Sequence, residues 1–304
     1  MENDFQKIDF TCFVCNNTHF RFFTRKQSCD LYRCQRCGLI FVYPPPGNLT
    51  EIYTKDYFLG ATHGSGYVDY ERDKMAMSST FEVYFNKIEQ LMPTRGRLLD
   101  VGAATGFFLD AALRRGWQVS GVEISDYAAA KARQKNLDVR TGILENAQFQ
   151  KSSFDVISLW DVLEHLPNPK VTLMVVHDLL RSGGLVVLNT PNAGSLFARL
   201  IGSHWHLLVP PEHLFYFNAD NLTELLKKVG FEVCGITCLG KKFTLQYILK
   251  TLATWHKFFV WQWLADKIQN RPLGQISIPI NLHDNLFLIA KKLDGPVVGG
   301  SRSS

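Results

Sequence analysis

Residues 98–109 read LLDVGAATGFFL. An apolar run of strand length ends at a carboxylate, two glycines stand four positions apart, and an apolar helical pattern follows. Glycine adopts the backbone conformations of tight turns and lets a ligand approach the bare main chain. The pattern therefore predicts a strand, a ligand-binding turn and a helix, with Asp100 and Gly102 where the strand ends.

The same alternation of strand and helix patterns continues beyond this turn. Apolar runs such as WQVSGVEIS, FDVISLW and LVVLNTPN are separated by single helical patterns. This order predicts right-handed βαβ crossovers and a parallel sheet. We therefore expect a doubly wound, Rossmann-like α/β domain over residues 95–294.

A carboxylate at the end of the next predicted strand indicates a nucleoside ligand. Glu123 follows Gly102 by 21 residues, where it can accept hydrogen bonds from both ribose hydroxyls. A dinucleotide site would carry a third glycine where this chain has Phe107, and Asp100 would repel a pyrophosphate. The predicted ligand has an amine and a ribose but no phosphate. A nicotinamide-dependent Rossmann oxidoreductase is the disfavoured alternative.

These segments resemble the class I S-adenosylmethionine (SAM)-dependent methyltransferases. LLDVGAATGFFLDAA is similar to their first motif, GVEIS to the acidic end of their second strand, and FDVISLWDVLEHLPNP to their fourth-strand segment. The resemblance implies a seven-stranded, mostly parallel sheet and SAM as the methyl donor. The residues that it assigns to the cofactor are Tyr70 (with Tyr67 as the alternative), Asp100, Gly102, Ala104, Gly106, Glu123, Ile124, Leu144, Trp160 and Asp161.

Histidines lie in segments predicted to cover the carboxyl ends of the strands, where open sheets bind ligands. A hydroxyl acceptor must lose its proton during methyl transfer, and histidine is suited to receive it. His165 follows the fourth-strand segment and His213 lies in a predicted acceptor loop over 191–217. We predict that these two are catalytic. The alternative for each is a structural histidine that holds irregular backbone.

The run from Asp161 to His165 reads DVLEH. It resembles the segment with which ubiquinone-pathway O-methyltransferases hold a divalent ion. The resemblance implies a divalent site at Asp161, Glu164 and His165, whose oxygen and imidazole donors suit Mg²⁺ or a transition ion. Alternatively, Glu164 and His165 only cap the turn before Pro167.

Two pairs of cysteines stand near the start of the chain. Cys12 and Cys15 form one C-x2-C pair, Cys34 and Cys37 form another, and 18 residues lie between the pairs. This is the spacing of a four-thiolate zinc ribbon. Four sulfurs complete a tetrahedral Zn²⁺ shell and leave no open position, so the predicted role is structural. Gly38 directly after Cys37 allows the backbone to turn its N–H groups toward sulfur.

The domain organisation follows from these motifs and from the three consecutive prolines Pro44–Pro46, which prevent a helix from continuing. The segments we predict are a zinc ribbon over 1–47, a helical, cofactor-covering connector over 48–94, the methyltransferase domain over 95–294 with an aromatic helical insertion over 243–269, and a disordered tail over 295–304.

Composition limits the classes of partner. Of the 304 residues 46% are hydrophobic and 20% are charged, as in a folded globular protein, and the net charge is +5 without a basic block. We therefore expect no nucleic-acid partner. The acidic N-terminal sequence has no apolar signal segment, and the odd number of cysteines suits the cytoplasm. The expected partner is a small-molecule acceptor: a sugar-containing compound, a lipid-like one or a secondary metabolite.

The aromatic stretch from Phe243 to Ile268 is interrupted by Lys250, His256 and Lys257. The uninterrupted apolar runs between these residues are therefore too short to span a membrane. Its tryptophans beside lysines suit either a lid over the core or peripheral contact with a membrane surface over 243–268.

Beside the methyltransferase and the oxidoreductase, a third hypothesis for the whole chain is a non-catalytic interaction module that keeps the SAM fold and the zinc ribbon.

Overall fold

The structure is a computed structural model that describes residues 8–47, 78–238, 241–246, 248–249, 253, 259–268 and 271–293. The strands are β1 (Phe20–Lys26), β2 (Cys29–Cys34), β3 (Ile40–Val42), β4 (Arg97–Val101), β5 (Gln118–Glu123), β6 (Val139–Thr141), β7 (Phe154–Trp160), β8 (Leu180–Pro191), β9 (Phe215–Tyr216), β10 (Phe231–Cys238), β11 (Lys241–Thr244), β12 (Ser277–Ile280) and β13 (Asn285–Lys292). The α-helices are α1 (Ser78–Leu91), α2 (Phe107–Arg114), α3 (Asp126–Gln134), α4 (Pro169–Leu179), α5 (Leu196–Ile201), α6 (Ala219–Lys228) and α7 (Phe259–Ile268).

The central sheet has seven strands in the order β10-β13-β8-β7-β4-β5-β6. Strand β13 runs antiparallel to β10 and β8, whereas β8, β7, β4, β5 and β6 pair in parallel. All seven residues of β7 are buried, as expected of a strand whose sheet is covered on both faces. The predicted doubly wound, mostly parallel fold is confirmed. This order places the carboxyl ends of the neighbouring strands β4, β7 and β8 side by side at one end of the sheet.

A second sheet joins the N-terminal segment to the large domain. Its order is β1-β2-β3-β9. Three strands come from the segment that carries the two cysteine pairs (residues 8–47, called the cysteine module below), and the fourth comes from the predicted acceptor loop. Ile40 pairs with Tyr216, and Phe41 pairs with Phe215. The cysteine module therefore completes its sheet with a strand that precedes α6.

The predicted aromatic helical insertion over 243–269 is helical only in part. Residues 243 and 244 belong to β11, which pairs with β12, whereas the other described residues of the insertion, 245–246, 248–249, 253 and α7, are helical. The pairing partner lies beyond the insertion, so the sequence pattern of the insertion alone carries no sign of this strand. No helix in the described ranges has the length and apolarity needed to cross a bilayer. Tyr70 and the proposed tail over 295–304 lie outside the described residues.

Candidate active site and cysteine cluster

The turn after β4 requires glycine at two positions. Gly102, Ala104 and Gly106 all have positive φ, at 73°, 47° and 80°. A Cβ atom on Gly102 would lie 2.5 Å from Cγ2 of Val162, and one on Gly106 would clash with Cδ1 of Leu137. The turn is therefore bare main chain packed directly against the neighbouring segments, which is the surface that a ligand at the strand ends would meet.

Glu123 holds this turn in place. One carboxylate oxygen accepts a hydrogen bond from Ala104 N at 2.8 Å, and the other accepts from Ser125 N at 2.8 Å. The side chain is buried, and this burial raises its pKa while the backbone N–H donors act in the opposite direction. Because a carboxylate has about four acceptor sites in total, Glu123 retains capacity for a further donor beside these backbone N–H groups.

Asp100 lies in the core at the carboxyl end of β4. Its Oδ1 accepts a hydrogen bond from Ser158 Oγ at 2.6 Å, and both side chains are buried. Sequence reasoning did not single out Ser158. The available signal was one hydroxyl in the otherwise apolar middle of FDVISLW.

Two buried polar atoms beside the turn have no hydrogen-bond partner among the described residues. They are Oγ1 of Thr105, inside the turn, and Nε1 of Trp160, at the end of the adjacent β7. A buried polar group without a partner is costly. These atoms, together with the bare turn, therefore fit a site completed by a polar ligand such as SAM.

Trp160 is the centre of an aromatic cluster. Its ring stacks on Tyr84 of α1 with centroids 4.5 Å apart, and Tyr84 stacks in turn on Phe287 at 4.6 Å. Burial raises the pKa of Tyr84, so its hydroxyl stays protonated. Tyr84 was not among the predicted site residues, although the amphipathic pattern of its helix was visible.

Asp161 is held by the end of β8. Its backbone N donates to Oδ1 of Asn189 at 2.6 Å, and Nδ2 of Asn189 donates to Asp161 Oδ1 at 3.0 Å. This double contact maintains Asp161 at a positive φ of 52°. Asn189 was also missed. A polar residue at the end of a continuous apolar strand was the only signal for it.

The two predicted catalytic histidines meet. The rings of His165 and His213 are 4.6 Å apart between centroids, and ligand atoms of Glu164, His165 and His213 all lie within 4.8 Å of one another. Glu164 is fixed by Thr190, whose Oγ1 donates to its Oε2 at 3.0 Å. The predicted set of Asp161, Glu164 and His165 is not the set assembled here, because Asn189 holds Asp161 and the loop supplies His213 instead.

Backbone carbonyls select the tautomer of both imidazoles. His165 Nδ1 lies 2.8 Å from the carbonyl oxygen of Glu212, and His213 Nδ1 lies 3.0 Å from that of Leu207. A carbonyl only accepts, so each Nδ1 carries the proton and each Nε2 keeps its lone pair. Burial lowers the pKa of His165 to about 4, which keeps it neutral near pH 7. The cluster is thus rich in lone pairs.

The remaining predicted residues are more dispersed. Leu144 is buried in a short turn over 144–146, and Ile124 is half-buried directly after Glu123. The predicted acceptor loop also holds His204 and His206: His206 Nε2 lies 3.6 Å from Oδ2 of Asp284, whereas His204 is exposed. Neither His204 nor His206 belongs to the cluster of Glu164 and the two catalytic candidates.

The four predicted zinc ligands converge. Sγ of Cys12 lies 3.6 Å from that of Cys37, Sγ of Cys15 lies 3.5 Å from that of Cys34, and all four sulfurs lie within 4.8 Å of one another. A Zn–S distance of about 2.3 Å in a tetrahedron implies S–S separations of about 3.8 Å. The donor set therefore fits Zn²⁺.

The two cysteine turns share one local geometry. Asn16 follows Cys15 with φ of 59°, and Gly38 follows Cys37 with φ of 75°. The Gly38 N–H donates to the carbonyl oxygen of Cys34 at 3.0 Å. The Cys37 thiol lowers the pKa of Cys12, which favours a thiolate there. Thiolate is the form that binds metal.

The family model of the methyltransferase domain matches residues 77–234. An alignment of 166 positions with a ubiquinone biosynthesis O-methyltransferase of Saccharophagus degradans has 27% identity and covers 49% of this chain and 70% of that protein. An alignment of 135 positions with the ubiquinone biosynthesis O-methyltransferase of Albidiferax ferrireducens has 30% identity and covers 41% of this chain and 54% of that protein. Among solved structures, a SAM-dependent methyltransferase of Thermotoga maritima, titled a possible histamine N-methyltransferase, has a TM-score of 0.48 at 20% identity and covers 73% of this chain and 94% of its own.

Proposed function

Because this chain belongs to the class I SAM-dependent methyltransferase family, we propose that it transfers a methyl group from SAM to a hydroxyl group of a small-molecule acceptor. The relatives that support a hydroxyl acceptor are named O-methyltransferases and align with 41% to 49% of this chain. The observation that carries the proposal is the cluster of Glu164, His165 and His213, whose two Nε2 lone pairs can receive a hydroxyl proton.

The proposed cofactor site surrounds the glycine turn. SAM supplies an electrophilic methyl group on a sulfonium. Gly102, Ala104 and Gly106 present main chain to it, Asp100 accepts from its amino group, and the remaining lone pairs of Glu123 accept from its ribose hydroxyls. The other proposed contacts are Ile124, Leu144, Trp160 and Asp161, with Tyr70 from the segment outside the described residues.

The proposed base is one of the two paired histidines. The acceptor proton would pass to Nε2 of His213 or His165 as the acceptor oxygen bonds to the methyl carbon; the bond from that carbon to the sulfonium sulfur would break, and S-adenosylhomocysteine would leave with its electron pair. Each imidazole is oriented by a carbonyl at its Nδ1, so no rotation is needed before proton transfer. General bases placed in this way typically contribute about 10²- to 10⁴-fold in rate.

A second role for the same cluster is favoured by its donor set. Two imidazole nitrogens and a carboxylate can hold a divalent ion, and backbone carbonyls at both Nδ1 atoms are the outer contacts that such ligands usually have. The residues that would hold the ion are Glu164, His165 and His213, rather than the combination with Asp161. A bound cation would favour the ionised form of the acceptor hydroxyl.

Two experiments test the proposed function. Calorimetry with SAM, S-adenosylhomocysteine (SAH) and NAD should give binding of the first two at 1:1 and none of NAD. Acceptor-dependent release of SAH should then be measured over a panel of catechols, sugar nucleotides and polyprenylated phenols. Binding of SAH without turnover on any acceptor would favour a non-catalytic module. Binding of NAD in place of SAM would refute the proposal.

The proposed location is a reducing compartment such as the cytoplasm, in which all seven cysteines, free in the structure, would stay reduced. Peripheral membrane contact through 243–268 also stays a proposal. In its described part Trp263 is 46% exposed and Val260 58% exposed, with Nζ of Lys267 4.1 Å from the Trp263 ring centroid. Co-sedimentation with liposomes tests it, and Trp263→Ser should weaken any binding.

A further inference from the structure

We propose that the cysteine module is a positioning element of the acceptor site. In this proposal, zinc bound by the four cysteines fixes the position of β3. The pairing of β3 with β9 then fixes β9, and with it the nearby His213. The inference rests on the proposed function, because it assigns His213 to the acceptor side of the reaction. It assigns the module a role beyond stabilising its own fold.

The first support is the backbone of Leu214, the residue that follows His213. Its carbonyl oxygen accepts from Val42 N of the cysteine module at 2.9 Å, and its own N–H donates to the carbonyl oxygen of Glu164 at 2.8 Å. Leu214 is therefore tied on one side to the module and on the other to a residue of the candidate site. Movement of Val42 is transmitted to His213 across a single residue.

The second support is an apolar layer between the module and the loop. Buried Leu31, Ile40 and Val42 of the module pack in one cluster with loop residues. The loop members of this cluster are Ala198, Trp205, Leu208 and Tyr216. Tyr216 lies 5.8 Å from His213 between ring centroids. The same layer that closes the module therefore also packs the wall beside the histidine.

The third support is a polar anchor on a zinc ligand. The carbonyl oxygen of Cys37 accepts from Nδ2 of Asn218 at 3.4 Å and from Nδ2 of Asn221 at 3.3 Å. These residues form the capping box of α6, the helix that starts directly after β9. Lys228 at the end of that helix donates to the carbonyl oxygen of Val14, between the first two cysteines. Both cysteine turns are thus fastened to the helix that β9 leads into.

The cofactor side has separate supports. Glu123, Ala104 and Ser125 form their contacts between β4, β5 and α3, with no atom of the cysteine module involved in these bonds. Loss of zinc should therefore loosen the acceptor wall and leave the SAM turn in place. This separation makes the inference testable apart from the proposed function.

The test compares the full zinc-loaded chain with the same chain after treatment with a chelator and a reductant. Hydrogen exchange of the Val42 and Leu214 amides should become at least about tenfold faster without zinc, and the NMR signals of the His213 imidazole should shift. SAH affinity, measured by calorimetry, should change by less than about threefold. Re-addition of zinc should restore both signals.

A pair of variants removes the need to rely on the chelator. Ile40→Ala opens the apolar layer, whereas Phe22→Ala changes a residue of the same sheet that is 47% exposed. Only Ile40→Ala should accelerate exchange at Leu214 and shift His213. The inference is overturned if β2 and β3 lose protection while Leu214 keeps it, or if the module stays protected without zinc. Absence of SAH binding to the zinc-loaded chain would refute the proposed function and leave these exchange results standing.

Discussion

The imidazole rings of His165 and His213 meet edge to face, with centroids 4.6 Å apart and an interplanar angle of 81°. One follows β7 and the other lies in the loop before β9. Both Nδ1 atoms are occupied by backbone carbonyls. Two lone pairs and the Glu164 carboxylate therefore face a small volume. Such a set of donors can hold a divalent cation.

Replacement of either histidine should abolish most of the methyl transfer without loss of SAH binding. His213→Gln and His165→Gln are expected to lower kcat by about 10²- to 10⁴-fold, because one variant removes the proposed base and the other removes the imidazole that packs against it. Transfer of labelled methyl to an identified acceptor measures the effect. His204→Gln, on an exposed histidine of the same loop, is the matched control and should keep full activity. Equal losses in all three variants would contradict the assignment.

The folded chain should lose stability in mild acid, in part through His177. This histidine is buried beside Phe231, and desolvation lowers its pKa. In the unfolded chain its pKa returns to about 6.5. The unfolded state therefore takes up a proton first, and the free energy of unfolding falls as the pH drops below this value. Urea denaturation at pH 8 and pH 5 should show a smaller fall for His177→Leu than for the parent. His204→Gln should behave like the parent.

The cysteine cluster should bind one zinc ion per chain. Purified protein should contain one equivalent by elemental analysis, and Cys34→Ser should lower this content, because it removes one of four thiolate ligands. Cys234→Ser is the matched control, since Cys234 is exposed and lies on β10, away from the cluster. An unchanged zinc content in Cys34→Ser would rule out this site.

Local patterns were sufficient to predict the fold and the turn after β4. The positive φ angles at Gly102 and Gly106, and the position of Glu123 at the end of β5, depend on residues close in sequence. The four cysteines were found in the same way. Spacing and residue type determine such features because the interacting atoms belong to one short segment or one motif.

Contacts between distant segments could not be predicted from the sequence. The pairing of β3 with β9, and the bond between Asn189 and Asp161, join segments whose separation depends on the completed fold. His213 replaces Asp161 beside Glu164 for the same reason. Neither periodicity nor motif spacing specifies which loop residue contacts which strand end. The residues that complete the candidate site could therefore be identified only from the structure.

Removal of the two carboxylates at the strand ends should weaken cofactor binding. Glu123→Ala removes the acceptor of the Ala104 and Ser125 N–H bonds, and Asp100→Ala removes the partner of Ser158. The double variant is expected to bind SAH at least about 100-fold more weakly, since lost hydrogen bonds to charged groups cost about 1.5–3 kcal/mol each. Calorimetry measures this change, with exposed Asp178→Ala as the control. Unchanged affinity would contradict the SAM site.

A comparison of two glycines with positive φ separates backbone strain from steric contact. Gly106 and Gly116 have φ of 80° and 87°, but a Cβ atom on Gly116 would meet no atom within 4 Å, whereas one on Gly106 would clash with Leu137. Gly116→Ala should therefore cost only the strain of a left-handed residue, about 1–2 kcal/mol. Gly106→Ala should cost about 2–4 kcal/mol, since the packed neighbours must also move.

The same comparison reports on function, because Gly106 belongs to the proposed cofactor turn and Gly116 does not. Urea denaturation gives the two stability changes, and calorimetry gives SAH affinity under conditions in which both variants are folded. We expect Gly116→Ala to bind SAH like the parent and Gly106→Ala to bind at least about tenfold more weakly. Gly102→Ala, which places a Cβ 2.5 Å from Cγ2 of Val162, should follow Gly106→Ala. Equal SAH affinities for all three would show that the turn does not form the cofactor site.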